Sequence, residues 1–170
     1  MPDGIAEDHA AEPGWFGRHA SPLSFVILAL FLGLAFAGLW GGGPNPVARA
    51  GGPDAAIEVA MPRIIRNGEF FEIRMRVDPR RPIGNLVVGV TPALWRDMTV
   101  NSMVPAASEE SYADGAFRFA YGPARPGEPL VVKVDLQINP LLFAGTAGRI
   151  TVYDDRRALV SLPVAMKVRP

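Results

Sequence analysis

The sequence predicts an all-β fold, an antiparallel β-sandwich of about seven to eight strands, preceded by one N-terminal transmembrane helix and a Gly/Pro-rich tether. Three observations carry that prediction. From residue 57 onward, apolar and polar residues alternate at period two in segment after segment, as in strands with one face buried. Gly, Pro, Asn and Asp cluster between those segments, where turns need them. Ahead of them lies one uncharged run, Pro22–Trp40, and nothing after residue 56 shows helical periodicity.

Composition bounds the rest. The chain has 170 residues, enough for one domain and an appendage. With 49% hydrophobic and 20% charged residues it is not a disordered chain. Cysteine is absent, which excludes disulfides, thiol catalysis, Cys-ligated zinc and iron–sulfur clusters. The 17 basic and 17 acidic residues cancel, so no polycationic character points to nucleic acid. The zero hides a segregation: residues 1–20 carry Asp3, Glu7, Asp8 and Glu12 against Arg18, whereas residues 55–170 carry a net +3.

Residues 1–20 therefore read as an acidic tail, and residues 21–41 as the transmembrane helix. Nineteen residues from Pro22 to Trp40, with Ser24 alone polar, would span roughly 28 Å as a helix, close to the hydrocarbon thickness of a bilayer. Ser21 and Pro22 are expected to start it and Gly41-Gly42-Gly43-Pro44 to stop it. Trp15, Phe16 and Trp40 flank it as headgroup-level aromatics do. A cleaved signal peptide is the alternative, since Ala48-Arg49-Ala50 forms an A-x-A site. Against cleavage, the leading segment is long and acidic, and the apolar run exceeds the usual ~7–15 residues. Arg18 and Arg49 tie the positive-inside count; an N-in, C-out orientation is favoured by the character of the C-terminal module. Ala29, Gly33, Ala37 and Gly41 recur at every fourth position, a small-residue stripe along which another helix can pack.

Residues 42–56 form the expected flexible tether, rich in Gly and Pro without apolar periodicity. The sandwich domain is assigned to residues 57–170. Ile57, Val59 and Met61 alternate first, then Phe71, Ile73, Met75 and Val77 against Glu72, Arg74 and Arg76. Further strands are expected at Leu86–Val90, Met98–Val104, Phe117–Tyr121, Leu130–Ile138, Ile150–Tyr153 and Leu159–Val168. Turns fall at Asn67-Gly68, Asp78–Gly84, Pro92–Asp97, Asp114-Gly115, Pro123–Gly127, Asn139-Pro140 and Asp154–Arg157.

The run Ile65–Val77, followed by Asn85–Val90 and then Tyr121–Val134 with its Pro-Gly-Glu turn, resembles the immunoglobulin-like modules of bacterial envelope proteins, of the adhesion-related and conserved-repeat kinds. The likeness covers about residues 56–168. It implies an Ig-like sandwich outside the cytoplasmic membrane and brings no catalytic residue. The chain departs from those proteins in having one module and an N-terminal anchor.

Catalytic constellations fail on inventory. Both histidines, His9 and His19, precede the apolar run, and G-x-S-x-G, H-E-x-x-H, S-x-x-K and phosphate-loop motifs are missing. No metal site and no cofactor are expected. Glu109-Glu110 with Asp114, and Asp154-Asp155, read as solvated turn acids rather than calcium ligands. Met61, Met75 and Met98 fall in register with core positions, while Met103 does not. Two surfaces remain as candidates for partner binding. One is the arginine-rich stretch of Arg63, Arg66, Arg74, Arg76, Arg80 and Arg81, in which Arg74 and Arg76 point away from the core; it can face lipid headgroups or an acidic partner, or lie in a salt-bridged solvated face. The other is the Pro92–Asp97 loop, where Trp95 beside Arg96 is either an exposed anchor or tucked against the core.

The favoured reading is a non-enzymatic, membrane-anchored extracytoplasmic module, single-pass in the bacterial inner membrane. It would bind another envelope or membrane protein, and its helix would allow self-association. The alternative is a secreted or anchored module for glycans or small ligands, released by cleavage near Ala50 in the secreted case and using Trp95, Tyr112 and Tyr121 as platforms. A carboxylate-based enzyme is the third.

Overall fold

Strand β4 shows how this sequence builds its fold. In Phe70–Pro79, Ile73, Met75 and Val77 are buried while Arg74 and Arg76 are exposed, because successive side chains point to opposite faces of a strand. The computed structural model describes residues 14–39, 43–140, 142 and 144–170. The expected acidic tail up to residue 13, and Trp40 and Gly41, lie outside the described residues.

Among the described residues the N-terminal unit holds one helix, α1, Trp15–Phe36. It starts seven residues before Pro22, so Pro22 lies inside it rather than at its first position. Proline there removes one helical hydrogen bond. The preceding turns hold nonetheless: His19 stacks on Trp15 with centroids 4.9 Å apart and bonds its carbonyl at 2.8 Å. The stop also comes earlier than the Gly41–Pro44 run. The Gly38 amide bonds the Ala35 carbonyl and the Leu39 amide the Leu34 carbonyl, with Gly38 left-handed at φ 76°, which is a Schellman ending.

The second unit, after residue 39, is a β-sandwich. Beside β4 its strands are β1 Val47–Gly51, β2 Ala55–Ala60, β3 Ile64–Arg66, β5 Ile83–Val90, β6 Met98–Val104, β7 Glu109–Ala113, β8 Ala116–Ala124, β9 Leu130–Ile138, β10 Thr146–Asp154 and β11 Arg157–Arg169. They form a five-stranded sheet, β1-β2-β4-β9-β6, and a six-stranded sheet, β3-β11-β10-β5-β8-β7. All pairings are antiparallel except β3 with β11. Between the sheets lie Ile57 and Val59 and every second residue of Ile73–Val77, Leu86–Val90, Val132–Ile138, Ile150–Val152 and Val160–Val168, each run counted from its first member. The strands expected from alternation supply this core.

The eleven strands among the described residues exceed the seven to eight expected, and the likeness to immunoglobulin-like modules reaches no further here than the two-sheet sandwich. The three additions are β1, β3 and β7. Strand β1 occupies part of the segment read as a tether, so the sandwich begins at Val47 and not at residue 57. It pairs with β2 from Val47↔Ala60 to Gly51↔Ala56, and its inward residues are only Ala48 and Ala50. Alanines give alternation no large apolar member, so the pattern is silent. A further difference is Met103: a register shift between Val100 and Ser102 restores it to the inner face opposite Val134, a bulge's usual effect.

Chain direction defines two ends. Strand β1 enters at Val47; the same end receives the Met61–Arg63 link, the Asn67–Glu69 turn, the Thr91–Asp97 loop and the C-terminus of β11. The far end carries Gly52–Asp54, Arg80–Pro82, Arg125–Pro129 and the Asp155-Arg156 turn.

Candidate functional site

The structure distributes the sequence-predicted binding residues over three places. Arg74 and Arg76 lie on the outer face of the five-stranded sheet, each beside a carboxylate two residues away on the same strand. Arg74 Nη2 meets Glu72 at 3.0 Å and Arg76 Nη2 meets Asp78 at 2.8 Å. Lys133 approaches Glu72 at 3.8 Å, and Arg49 pairs with Glu58 at 2.6 Å on the adjoining strands. The face is a lattice of compensated charge, open to water, where each pair adds little to stability.

Arg80 and Arg81 sit at the far end instead. Arg80 Nη1 donates to the Gly52 carbonyl at 2.8 Å. Arg81 and Arg157 converge on Asp54, at 3.5 and 2.8 Å. The hydrogen bond and charge of Asp54 hold the Arg157 guanidinium above its ordinary pKa. Asp154 accepts the Gly84 and Asn85 amides, so these acids are occupied in fixing a turn.

Trp95 and Arg96 lie at the entry end. The loop that carries them dips into the sandwich: Leu94 is fully buried, and the loop closes through Leu94 N to Thr91 O and Trp95 N to Pro92 O. Trp95 is half-buried, 5.5 Å from Phe119 and stacked at 6.2 Å on Phe117. Its Nε1 is buried without a hydrogen-bond partner. Phe117 in turn meets Tyr112 edge-on at 5.5 Å. The result is an aromatic run from the core outward, with Phe119 buried, Trp95 half-buried, Phe117 37% exposed and Tyr112 62% exposed. Arg96 pairs with Asp97 at 3.5 Å. Sequence reasoning missed Leu94 and Phe117 as part of this surface, and named Tyr112 beside Trp95 only as a platform in the glycan-binding alternative. The Asp114-Gly115 pair, both at positive φ, was the available signal, because a two-residue Asp-Gly turn requires a strand on each side.

Tyr121 is turned the other way. Its hydroxyl donates to Met103 Sδ at 3.1 Å across the sheets. Burial, with a smaller contribution from Glu110, pushes its pKa up from 10.0 to about 12. Beside it is a shallow cavity of about 170 Å³ bounded by Leu86, Pro123, Pro129 and Leu130. Arg118, on the outer face of the six-stranded sheet, is 7% exposed, bonded to Asp114 at 2.7 Å and capped by the Tyr153 ring. Among the described residues no three His, Cys, Asp or Glu side chains are grouped to hold a metal ion. On α1, Ala29 and Gly33 lie within the helix and Ala37 caps it; a Cβ on Gly33 would meet nothing within 4 Å.

No protein-family model matches the chain. No curated protein matches its sequence. Among solved structures, similar chains include the chitin-binding domain of a chitinase from Pyrococcus furiosus, at 16% identity and TM-score 0.40, covering 67% of this chain and all of that one. CaCohA2 from Clostridium acetobutylicum matches at 12% identity and TM-score 0.43, covering 65% of this chain and 88% of that one. A Niemann-Pick type C2 protein from the Japanese carpenter ant matches at 10% and 0.39, covering 73% and 99%. Likeness at this level assigns neither a family nor a function.

Proposed function

We propose that the chain is a non-enzymatic, single-pass membrane protein of a bacterial envelope, with its sandwich on the extracytoplasmic side, where it binds or helps assemble another envelope protein. Helix α1 carries the reading. Its Gly17–Phe36 stretch is 20 residues long with mean hydropathy 1.9, and none of it is buried. An apolar surface of that extent calls for hydrocarbon around it. Retention of the helix is supported by β1: cleavage after Ala50 would remove all of that strand but Gly51 and break the Arg49–Glu58 pair. The experiment is extraction of membranes with alkaline carbonate followed by N-terminal sequencing. A pelleted chain that keeps residues before 20 supports the anchor; a soluble chain starting at residue 51 overturns it.

The aromatic run at the entry end is the binding surface this reading favours, since exposed Tyr112 and Phe117 rest on a half-buried tryptophan, the usual build of an interface anchor. The Arg74–Arg76 face has its charges paired and competes poorly. A photo-crosslinker at Tyr112 captures the partner in membranes, whereas one at Arg76 does not; the reverse pattern moves the interface to the sheet face. Helix–helix contact along Ala29, Gly33 and Ala37 is a further part of the proposal, tested by Gly33→Leu in a membrane association assay. The glycan-binding alternative has weaker support, because of Trp95, Tyr112 and Tyr121 only Tyr112 is well exposed.

A further inference from the structure

Four cations gather at the entry end, on β3, on β11 and in the link between β2 and β3. Strand β3 runs parallel to the end of β11, pairing Ile64 with Lys167 and Arg66 with Arg169. Lys167, Arg169 and Arg66 are exposed there, while Met166 and Val168 between them are buried. Arg63, also exposed, accepts the Lys167 amide on its carbonyl. No ion pair involves any of the four among the described residues. Glu69, the acid nearest in sequence, has its Oε2 on the Arg66 backbone amide. Two arginines facing each other across a strand pair repel, and elsewhere on the domain the arginines of β4 are given acids. Among the described cations outside ion pairs, Arg66 and Arg169 are the two that a strand register sets face to face, at the end where β1 begins; Arg80, Arg125 and Arg156 at the far end lie singly in loops and turns.

We propose that this patch docks on the anionic headgroups of the membrane in which α1 is anchored. The inference rests on the anchor reading above. Ten residues separate Phe36 from Val47, and even fully extended they reach only ~36 Å. The tether enters the sandwich at the end that carries the facing Arg66 and Arg169. Basic side chains near an anionic bilayer gain electrostatic attraction that salt screens. Phe70, 70% exposed at the start of β4, is available to the interface on the same rim.

The test uses the full chain, which has no cysteine of its own. Pro170→Cys, labelled with bimane after reconstitution, reports on the entry end and Arg125→Cys on the far end. Vesicles carry headgroup spin labels in phosphatidylcholine alone or with about 30% phosphatidylglycerol. Quenching is expected at the Pro170→Cys label in anionic vesicles only, and is lost at about 0.5 M salt. Arg66→Gln with Arg169→Gln, checked for an unchanged melting temperature, reduces that quenching by about half or more. Equal quenching in neutral vesicles overturns the proposal, as does none in anionic ones. If the label responds to poly-glutamate and not to anionic vesicles, the patch belongs to an acidic protein and lipid docking is wrong. A chain washed off both vesicles by carbonate fails the anchor reading itself, and docking with it.

Discussion

The ring of Tyr153 lies over the guanidinium of Arg118, 4.5 Å from its centroid, and reaches it across Gly89. Register places Gly89 between Arg118 on β8 and Thr151 on β10. A Cβ on Gly89 would stand 2.7 Å from Tyr153 Cε2. A side chain that is buried, charged and bonded to one carboxylate is thus covered by an aromatic face that only a glycine neighbour admits.

Gly89→Ala is accordingly predicted to swing Tyr153 off Arg118. Alanine suits a strand better than glycine, so without the clash the change would stabilise. With it, a cation–π contact of about 0.5–2 kcal/mol is lost, and water reaches a buried guanidinium. The net expectation is destabilisation by about 1 kcal/mol in urea unfolding. The same substitution in a Tyr153→Ala background costs less or becomes favourable. An equal cost in both backgrounds would falsify the coupling.

Gly148 performs the corresponding service for the entry loop. A Cβ there would press on Thr91 Oγ1, and stand 2.7 Å from Leu94 Cβ and 3.0 Å from Leu94 N. All three atoms belong to the Thr91–Asp97 loop, whose Leu94 plugs the core, so the loop itself must move. Gly148→Ala should cost about 2–4 kcal/mol, in the range of emptying the Leu94 site by Leu94→Ala. Trp95 emission, shielded by Phe117 and Phe119, shifts to the red in the same variant. An unshifted spectrum with full stability would mean the loop tolerates displacement.

How far the chain was readable follows from what each residue type can signal. Strand β4 was legible because large apolar and charged residues alternate without interruption from Phe71 to Val77. Strand β7, Glu109–Ala113, was not, since its residues are exposed along an edge and only Ala113 is half-buried, leaving no buried period to read. Leu94 looked like a loop residue because no periodicity spans a single inserted side chain. The charge partners of Arg74 and Arg76 were visible as i±2 neighbours, and the structure pairs them so. The isolation of Arg66 and Arg169 was not visible, because it depends on the parallel pairing of strands separated by most of the domain.

Alkaline pH should probe Tyr121. Its folded pKa is raised from 10.0 to about 12, so the native state keeps a phenolic proton that the unfolded chain gives up. Stability from this residue is complete below pH 10 and declines between about pH 10 and 12, where the unfolded state binds fewer protons. Tyr121→Phe removes the titrating group. Its unfolding midpoint is therefore less sensitive to pH in that window than that of the unchanged protein. Parallel curves for the two proteins would show that burial does not shield the Tyr121 phenol.

Trp95 and Tyr112 belong to one aromatic run but are predicted to fail differently. Trp95 packs on Phe119 inside the sandwich, so Trp95→Ala removes core contacts and should cost about 3 kcal/mol, somewhat less if its half-buried ring leaves little cavity. Tyr112 is largely in solvent, touching Phe117 by its edge, and Tyr112→Ser should change stability by no more than about 0.5–1 kcal/mol. Partner capture reverses the order of importance. If the run is the interface, Tyr112→Ser weakens co-purification from membranes by about tenfold or more while the melting curve barely moves. Arg76→Ala, which breaks one exposed pair with Asp78, alters neither. Retained capture in the Tyr112→Ser variant, with its fold intact, would remove the aromatic end from consideration and leave the lipid-facing patch as the surface to pursue.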